Sequence, residues 1–350
     1  MIKALVADGS VTDRDALVKL LRLDPEIEVI GEASHGAEAI EMVKRLRPHI
    51  VVMGVYLSAS GGFRTTREMM IEAPTPIVIV SDERDPRQVE ISILALSDGA
   101  LSIVSMPSPH MPEVAGSAGE RLIASVRAMS QVKVVRRWRE RSRPGTAMPR
   151  SAAPTEARTR IVAMAASTGG PAALQQIISE LPADFCLPIL IVQHIGSGFV
   201  DGLVHWLNSV CSLNIKHATD GELLSPHTVY VAPDDNHLGV SSRSRIALSS
   251  AEKIGGFRPS ATFLFESVAR AFGASAAHVI LTGMGHDGLS GLQVARKLQG
   301  TILAQDQASS VVFGMPGAAV DAGLADYVLP LPSIADQLIE LAYPSRNSPS

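Results

Sequence analysis

The chain has 350 residues, enough for two domains of ordinary size that each bury their own core. With 46% hydrophobic and 19% charged residues it has the composition of a soluble globular protein, and no apolar run approaches the length of a membrane span. A net charge of −4 supplies no global attraction to nucleic acid, and two cysteines outside any CxxC pair, Cys186 and Cys211, argue against a disulfide framework or a thiolate zinc site.

The N-terminal "MIKALVADGS" runs directly into a strand pattern and has neither the apolar stretch nor the small-residue cleavage site of a signal peptide, which points to the cytoplasm. From residue 2 to about 128, short apolar runs alternate with amphipathic stretches, the signature of repeated βα units on a parallel sheet. Strands are predicted at 2–7, 28–33, 50–53, 77–80 and 102–104, separated by helical patterns such as "RDALVKLLR" and "AEAIEMVKRL". Five such units fit a flavodoxin-like sandwich. In "HIVVMGVYLSASGGF" the apolar run at 50–53 ends on Gly54, at the strand end where a phosphoryl acceptor would need a carboxylate.

From Gln131 to Arg160 nine Lys or Arg residues face only Glu140 and Glu156, among many Pro, Ser, Ala and Thr. This composition reads as a linker whose "KVVRRWRER" stretch is solvated charge. Contact of that stretch, through Trp138, with nucleic acid or an acidic surface is the alternative, and no helix-turn-helix pattern supports it. A second βα series follows, with strands predicted at 161–165, 187–193, 214–217, 228–231, 278–282, 301–304 and 326–329. It forms a larger doubly wound sheet with its functional groups expected outside the carboxyl ends of the strands.

Three of those ends carry polar residues. In "IVAMAASTGGPAALQQII" a strand stops at Ser167 before a Gly-Gly turn and a helix-starting Pro171. The hydroxyl there is a helix cap or a nucleophile, and without GxGxxG a phosphate cradle is the weaker reading. "LPILIVQHIGSGF" ends on Gln193 and His194, and "HVILTGMGHDGLSGLQVARKL" places Asp287 before an amphipathic helix, where an N-cap is the bland explanation. Together Ser, His and Asp are what acyl transfer needs: a nucleophile, a proton carrier and a carboxylate that fixes the imidazole tautomer. The order differs from that of α/β-hydrolases and there is no GxSxG. A metal site from Asp234, Asp235, His237 and His286 matches no ligand spacing.

With "ASTGGP", "QH", "YVAP", "RPS", "LTGMGHDG" and "VVFGMP" in that order, the chain resembles the chemotaxis protein-glutamate methylesterases, the CheB family, over nearly its whole length. The resemblance implies a receiver-like domain over 1–128, a basic linker over 129–158 and a catalytic domain over 159–345; no cofactor and no metal site are expected. It implies Ser167 as nucleophile, His194 as general base and Asp287 as its orienting partner, with Thr168 and Met284 in the oxyanion region. The reaction it implies is hydrolysis of glutamate γ-methyl esters, and deamidation of certain glutamines, on the cytoplasmic helices of methyl-accepting chemoreceptors. A chemotaxis histidine kinase complex is the further partner implied. Phe257 stands where a histidine is common and His286 where an asparagine is common. The receiver departs further: the acid pair reads Asp8–Gly9, the acceptor position is Gly54 and the "KP" position is Met106–Pro107, with Asp8 and the hydroxyl position Ser81 retained. Such a receiver keeps its fold and loses its phosphoryl chemistry. A non-catalytic regulatory protein of a chemosensory pathway is the alternative.

Overall fold

The computed structural model describes residues 1–57, 62–106, 118–132, 134, 159–241 and 244–343. Linker residues 133 and 135–158, Trp138 among them, the loop at 58–61 and Pro107 lie outside the described residues. Two compact units form, and each is built on its own sheet.

The first carries β1 (Ile2–Ala7), α1 (Val11–Leu21), β2 (Ile27–Ala33), α2 (Gly36–Leu46), β3 (Ile50–Gly54), α3 (Gly62–Glu72), β4 (Ile77–Ser81), α4 (Pro86–Ser97), β5 (Ser102–Ser105) and α5 (Ala118–Met129). Its five strands run in the order β2-β1-β3-β4-β5, with every pairing parallel, which is the flavodoxin-like arrangement. Every residue of β3 and β4 is buried, as expected where helices cover both faces of a sheet. The Ser10 and Asp85 side chains cap α1 and α4, and Pro86 opens α4 without sacrificing a hydrogen bond. The register aligns Ala7 with Met53, Gly54 with Val80 and Ser81 with Ser105, so Asp8, Gly54, Ser81 and Met106 gather at one end of the sheet.

The second unit carries β6 (Ile161–Ala166), α6 (Gly170–Glu180), β7 (Ile189–Gln193), α7 (Val200–Val210), β8 (Asn214–His217), β9 (Thr228–Val231), β10 (His237–Val240), β11 (Ile246–Ser249), α8 (Ala261–Phe272), β12 (Ala276–Ile280), α9 (Leu289–Lys297), β13 (Thr301–Gln305), α10 (Met315–Asp321), β14 (Tyr327–Leu329) and α11 (Leu331–Ala342). Seven parallel strands run in the order β14-β13-β12-β6-β7-β9-β8. The chain winds outward from β6 through β7 and then returns to β12 on its other side. The winding direction therefore reverses between β6 and β12, and the crevice at their carboxyl ends is the expected ligand position.

Two elements differ from the sequence reading. The antiparallel pair β10–β11 was not predicted. β10 is buried along its whole length, so it shows no alternation, and its "HLGV" lacks the density of β-branched residues that marks a strand. It is held instead by tertiary contacts: the Ser267 hydroxyl of α8 accepts from Val240 N and donates to Val240 O. The strand predicted at 278–282 lies at Ala276–Ile280, because the low-propensity alanines 276 and 277 still pair with Ile161 and Val162. At its other end Thr282 leaves the ladder and donates its N–H to the Gln305 side chain.

His278, in the middle of β12, is fully buried against the Phe265 ring at 5.5 Å, and neither ring nitrogen has a hydrogen-bond partner among the described residues. Burial pushes its pKa down from 6.5 to about 3. The fold therefore holds the imidazole neutral while an unfolded chain protonates it below pH 6.5. Stability from this group is complete above that pH and is lost as pH falls toward 3, at up to about 1.4 kcal/mol per pH unit. Denaturant unfolding at a series of pH values should show a steeper acid decline for the wild type than for His278→Leu; parallel curves would exclude this assignment.

Candidate active site

β6 delivers Ser167 as its first residue beyond the strand. Ser167 N donates to Thr282 O at 3.0 Å, and its carbonyl accepts from Gly170 N at 2.8 Å and from Gln193 Nε2 at 2.9 Å. Three neighbouring segments thus pin the backbone and leave the half-buried hydroxyl with no hydrogen bond to a protein group among the described residues. The capping alternative is not what forms: the N-cap of α6 is Gly169, with no side-chain cap.

β7 pairs with β6 so that Ala166 lies opposite Gln193, which sets Ser167 level with His194 on strands about 4.8 Å apart. His194 N donates to Ala166 O at 2.9 Å, and Gln193 Nε2 donates to both the Ser167 and His194 carbonyls. His194 Nε2 lies 2.9 Å from Asp287 Oδ2, while its buried Nδ1 has no hydrogen-bond partner among the described residues.

Asp287 does not cap the helix that follows it, whose N-cap is Gly288. Its carboxylate sits instead at the N-terminus of α8. Oδ2 accepts from Ala261 N at 2.7 Å, and Oδ1 accepts from the Ser260 hydroxyl at 2.8 Å, Thr262 N at 3.1 Å and Gly288 N at 2.9 Å. Burial would push this carboxyl up, but the His194 ring and the Ala261 and Ser260 donors outweigh it and hold the pKa well below the usual carboxylate range. Asp287 is therefore an anion and an acceptor only, so His194 Nε2 carries the hydrogen of this bond, and in a neutral ring the lone pair falls on Nδ1.

The turn after β12 closes the site. An added Cβ at Gly283 would lie 2.4 Å from Met315 Sδ and 2.7 Å from Ser167 Cβ, so only glycine allows this approach. Gly283 O accepts from the N–H groups of Gly314 and Met315, and the Thr282 hydroxyl donates to Thr168 O and accepts from Val312 N. "VVFGMP" is thereby a brace for "LTGMGHDG". Thr168 is buried and Met284 is exposed, and the N–H groups of Met284 and Gly285 have no protein acceptor among the described residues. Ser260 and Thr282 were not singled out from sequence, although "RPS" contains the first. His237 is fully buried, stacked on Phe263 and bonded to Glu252 O, while Asp235 lies near Arg258. His286 is exposed.

In the first unit Asp8 is 4% exposed, with Oδ1 accepting from Ser10 N at 2.8 Å. Burial outweighs this bond and pushes its pKa up to about 6. A Cβ at Gly54 would lie only 1.8 Å from Asp8 Oδ2, so the Asp8 carboxylate occupies the space a side chain at 54 would need. At Gly9 a Cβ would meet the Tyr56 carbonyl oxygen at 2.3 Å, and Gly9 N donates to that same oxygen. Ser81 is fully buried with its hydroxyl unpartnered among the described residues, and Met106 N donates to Ser81 O.

A flavodoxin-like unit joined to a doubly wound sheet with a Ser, a His–Asp pair and turn amides at its switch point defines a receiver-linked α/β protein of the hydrolase type. The CheB methylesterase family matches residues 162–338, and the response regulator receiver domain family matches residues 4–109. A protein-glutamate methylesterase/protein-glutamine glutaminase of Myxococcus xanthus is 48% identical over 96% of both chains. One of Anaeromyxobacter dehalogenans is 49% identical over 97% of this chain and 98% of its own. The crystal structure of the Thermotoga maritima CheB methylesterase catalytic domain, 41% identical, covers 52% of this chain and 98% of its own with a TM-score of 0.51. The chain belongs to the CheB methylesterase family.

The two receiver glycines should respond differently to substitution. The obstacle at Gly54 is the tip of a side chain that can rotate, whereas at Gly9 it is backbone. Gly9→Ala should therefore cost about 1–3 kcal/mol of stability and Gly54→Ala less, as read by denaturant unfolding. The reverse order would show that the β3–α3 segment yields more readily than Asp8.

Proposed function

We propose that the chain hydrolyses glutamate γ-methyl esters, releasing methanol, and deamidates particular glutamines on chemoreceptor cytoplasmic helices. The proposed set is Ser167, His194 and Asp287, on a catalytic domain over 159–345 that follows a receiver-like domain over 1–128 and a linker over 129–158. The observation that carries this reading is the His194–Asp287 pair, with the unpartnered Nδ1 on the strand beside Ser167. In the proposed cycle Nδ1 takes the Ser167 proton as Oγ attacks the side-chain carbonyl. The tetrahedral oxyanion is received by turn amides near Thr168 and Met284, and the proton returns to the departing methanol or ammonia. Water then attacks the serine ester by the same route in reverse. Only the leaving group differs between the two activities.

Methylated helices of that kind place the enzyme in the cytoplasm, and no helix among the described residues is long and apolar enough to cross a membrane. In the receiver, Gly54 cannot form an acyl phosphate, Gly9 supplies no second carboxylate beside Asp8 and Met106 supplies no cation, while the Arg14 guanidinium donates to the Asp8 carbonyl oxygen. The reading is a receiver that ignores phosphodonors, with a chemotaxis histidine kinase complex as docking partner and not as phosphate source.

Ser167→Ala should reduce methanol release from methylated receptor by several orders of magnitude at unchanged melting temperature. Activity within a few-fold of wild type would rule out the covalent mechanism through Ser167, whereas no methanol release by the wild type would support the non-catalytic regulatory alternative. Asp287→Asn should lower turnover and stability together, since its NH2 would face backbone donors at either oxygen position.

A further inference from the structure

The Phe257 ring lies against the His194 imidazole with ring centroids 4.2 Å apart and planes within 9° of parallel. Its placement is built in. Ile254 and Phe257 exchange both backbone hydrogen bonds across Gly255 and Gly256, whose φ values of 58° and 90° give the two left-handed residues of a type I′ hairpin turn. The next residue anchors the far side: Arg258 Nη1 donates to the carbonyls of Ser250 and Ala251, and Nη2 lies 3.7 Å from Asp235. Two residues on, Ser260 and the amides of Ala261 and Thr262 grip Asp287. One short segment therefore holds the imidazole from its face and its carboxylate partner from the edge.

We propose that Phe257 is a positioning residue for the proposed reaction, fixing the plane of the His194 imidazole so that Nδ1 points at the Ser167 hydroxyl. The inference rests on the catalytic reading above. A single hydrogen bond at Nε2 leaves the ring free to swing about that contact, and a parallel aromatic face removes this freedom. The same face favours the imidazolium that forms while the serine proton is held. Phe257 remains 37% exposed, so it also forms part of the rim that a substrate chain passes. That second role would act on KM, whereas positioning acts on kcat.

Kinetics of methanol release from methylated receptor and nitrogen NMR of the His194 ring test this in the full chain. Phe257→Ala and Phe257→Leu should lower kcat about ten- to a hundred-fold with KM within about two-fold, and Phe257→Tyr should retain most of it. In the resting protein, His194 of wild type and Phe257→Tyr should show one fixed tautomer, and the Ala and Leu variants an averaged or altered one. The inference is overturned if Phe257→Ala changes only KM, if Phe257→Leu matches wild type in kcat and spectrum, or if the His194 signals are the same in all four proteins. Should wild type release no methanol, the catalytic reading fails, and the His194 spectra still decide whether Phe257 orders the ring. Should Phe257→Ala fail to fold, the Leu and Tyr variants carry the comparison.

Discussion

The site is organised by one buried anion. An isolated carboxylate in a protein interior is costly, and Asp287 is tolerated because five donors converge on it. Two of these are amides at the start of α8, where the helix leaves its N–H groups unbonded and its dipole favours negative charge. The carboxylate therefore ties three elements together: the turn after β12, the end of β7 through His194, and α8. That helix is in turn fixed in the core by Leu264, Phe265 and Val268 and to β10 by Ser267. The hydrogen-bond partner of His194 Nε2 is therefore placed by how α8 packs.

This explains which parts were legible in the sequence. Buried parallel strands read as continuous apolar runs, so β3, β4, β6 and β7 announce themselves, and the residues just past β6 and β7 could be named. Asp287 could be named as well, but its local context suggested a cap on the following helix. Its partners lie at 260–262, more than twenty residues upstream, and their convergence depends on tertiary packing that no local pattern encodes. Ser260 and Thr282 were missed for the same reason, since a buried hydroxyl in a polar tripeptide gives no periodic signal. The β10–β11 pair escaped because its burial erases alternation, and β12 was placed two residues late because its first residues are alanines.

Gly54 shows a further limit of the sequence. A missing acidic residue suggests an empty acceptor position, yet the structure fills that space with the Asp8 carboxylate and holds Gly9 against a carbonyl. Both sheets use the same geometric rule, gathering polar residues beyond the carboxyl ends of parallel strands. The rule supplies a location and says nothing about chemistry.

The chemistry is decided by hydrogen-bond donors, as the two buried aspartates make plain. Asp8 and Asp287 are 4% and 9% exposed, and burial pushes both pKa values up. For Asp8 the Ser10 amide does not offset that push, and its pKa rises to about 6. For Asp287 a histidine, a hydroxyl and three amides reverse it, and the carboxyl stays ionised across the whole range in which a folded protein works. An aspartate that must hold an imidazole in one tautomer has to remain an acceptor, and only the second environment guarantees this. Near neutral pH Asp8 lies within reach of its protonated form, which can donate a hydrogen bond but is a poor ligand for a divalent cation. A buried aspartate is thus held firmly ionised in one unit and left titrating near pH 6 in the other by the donors around it.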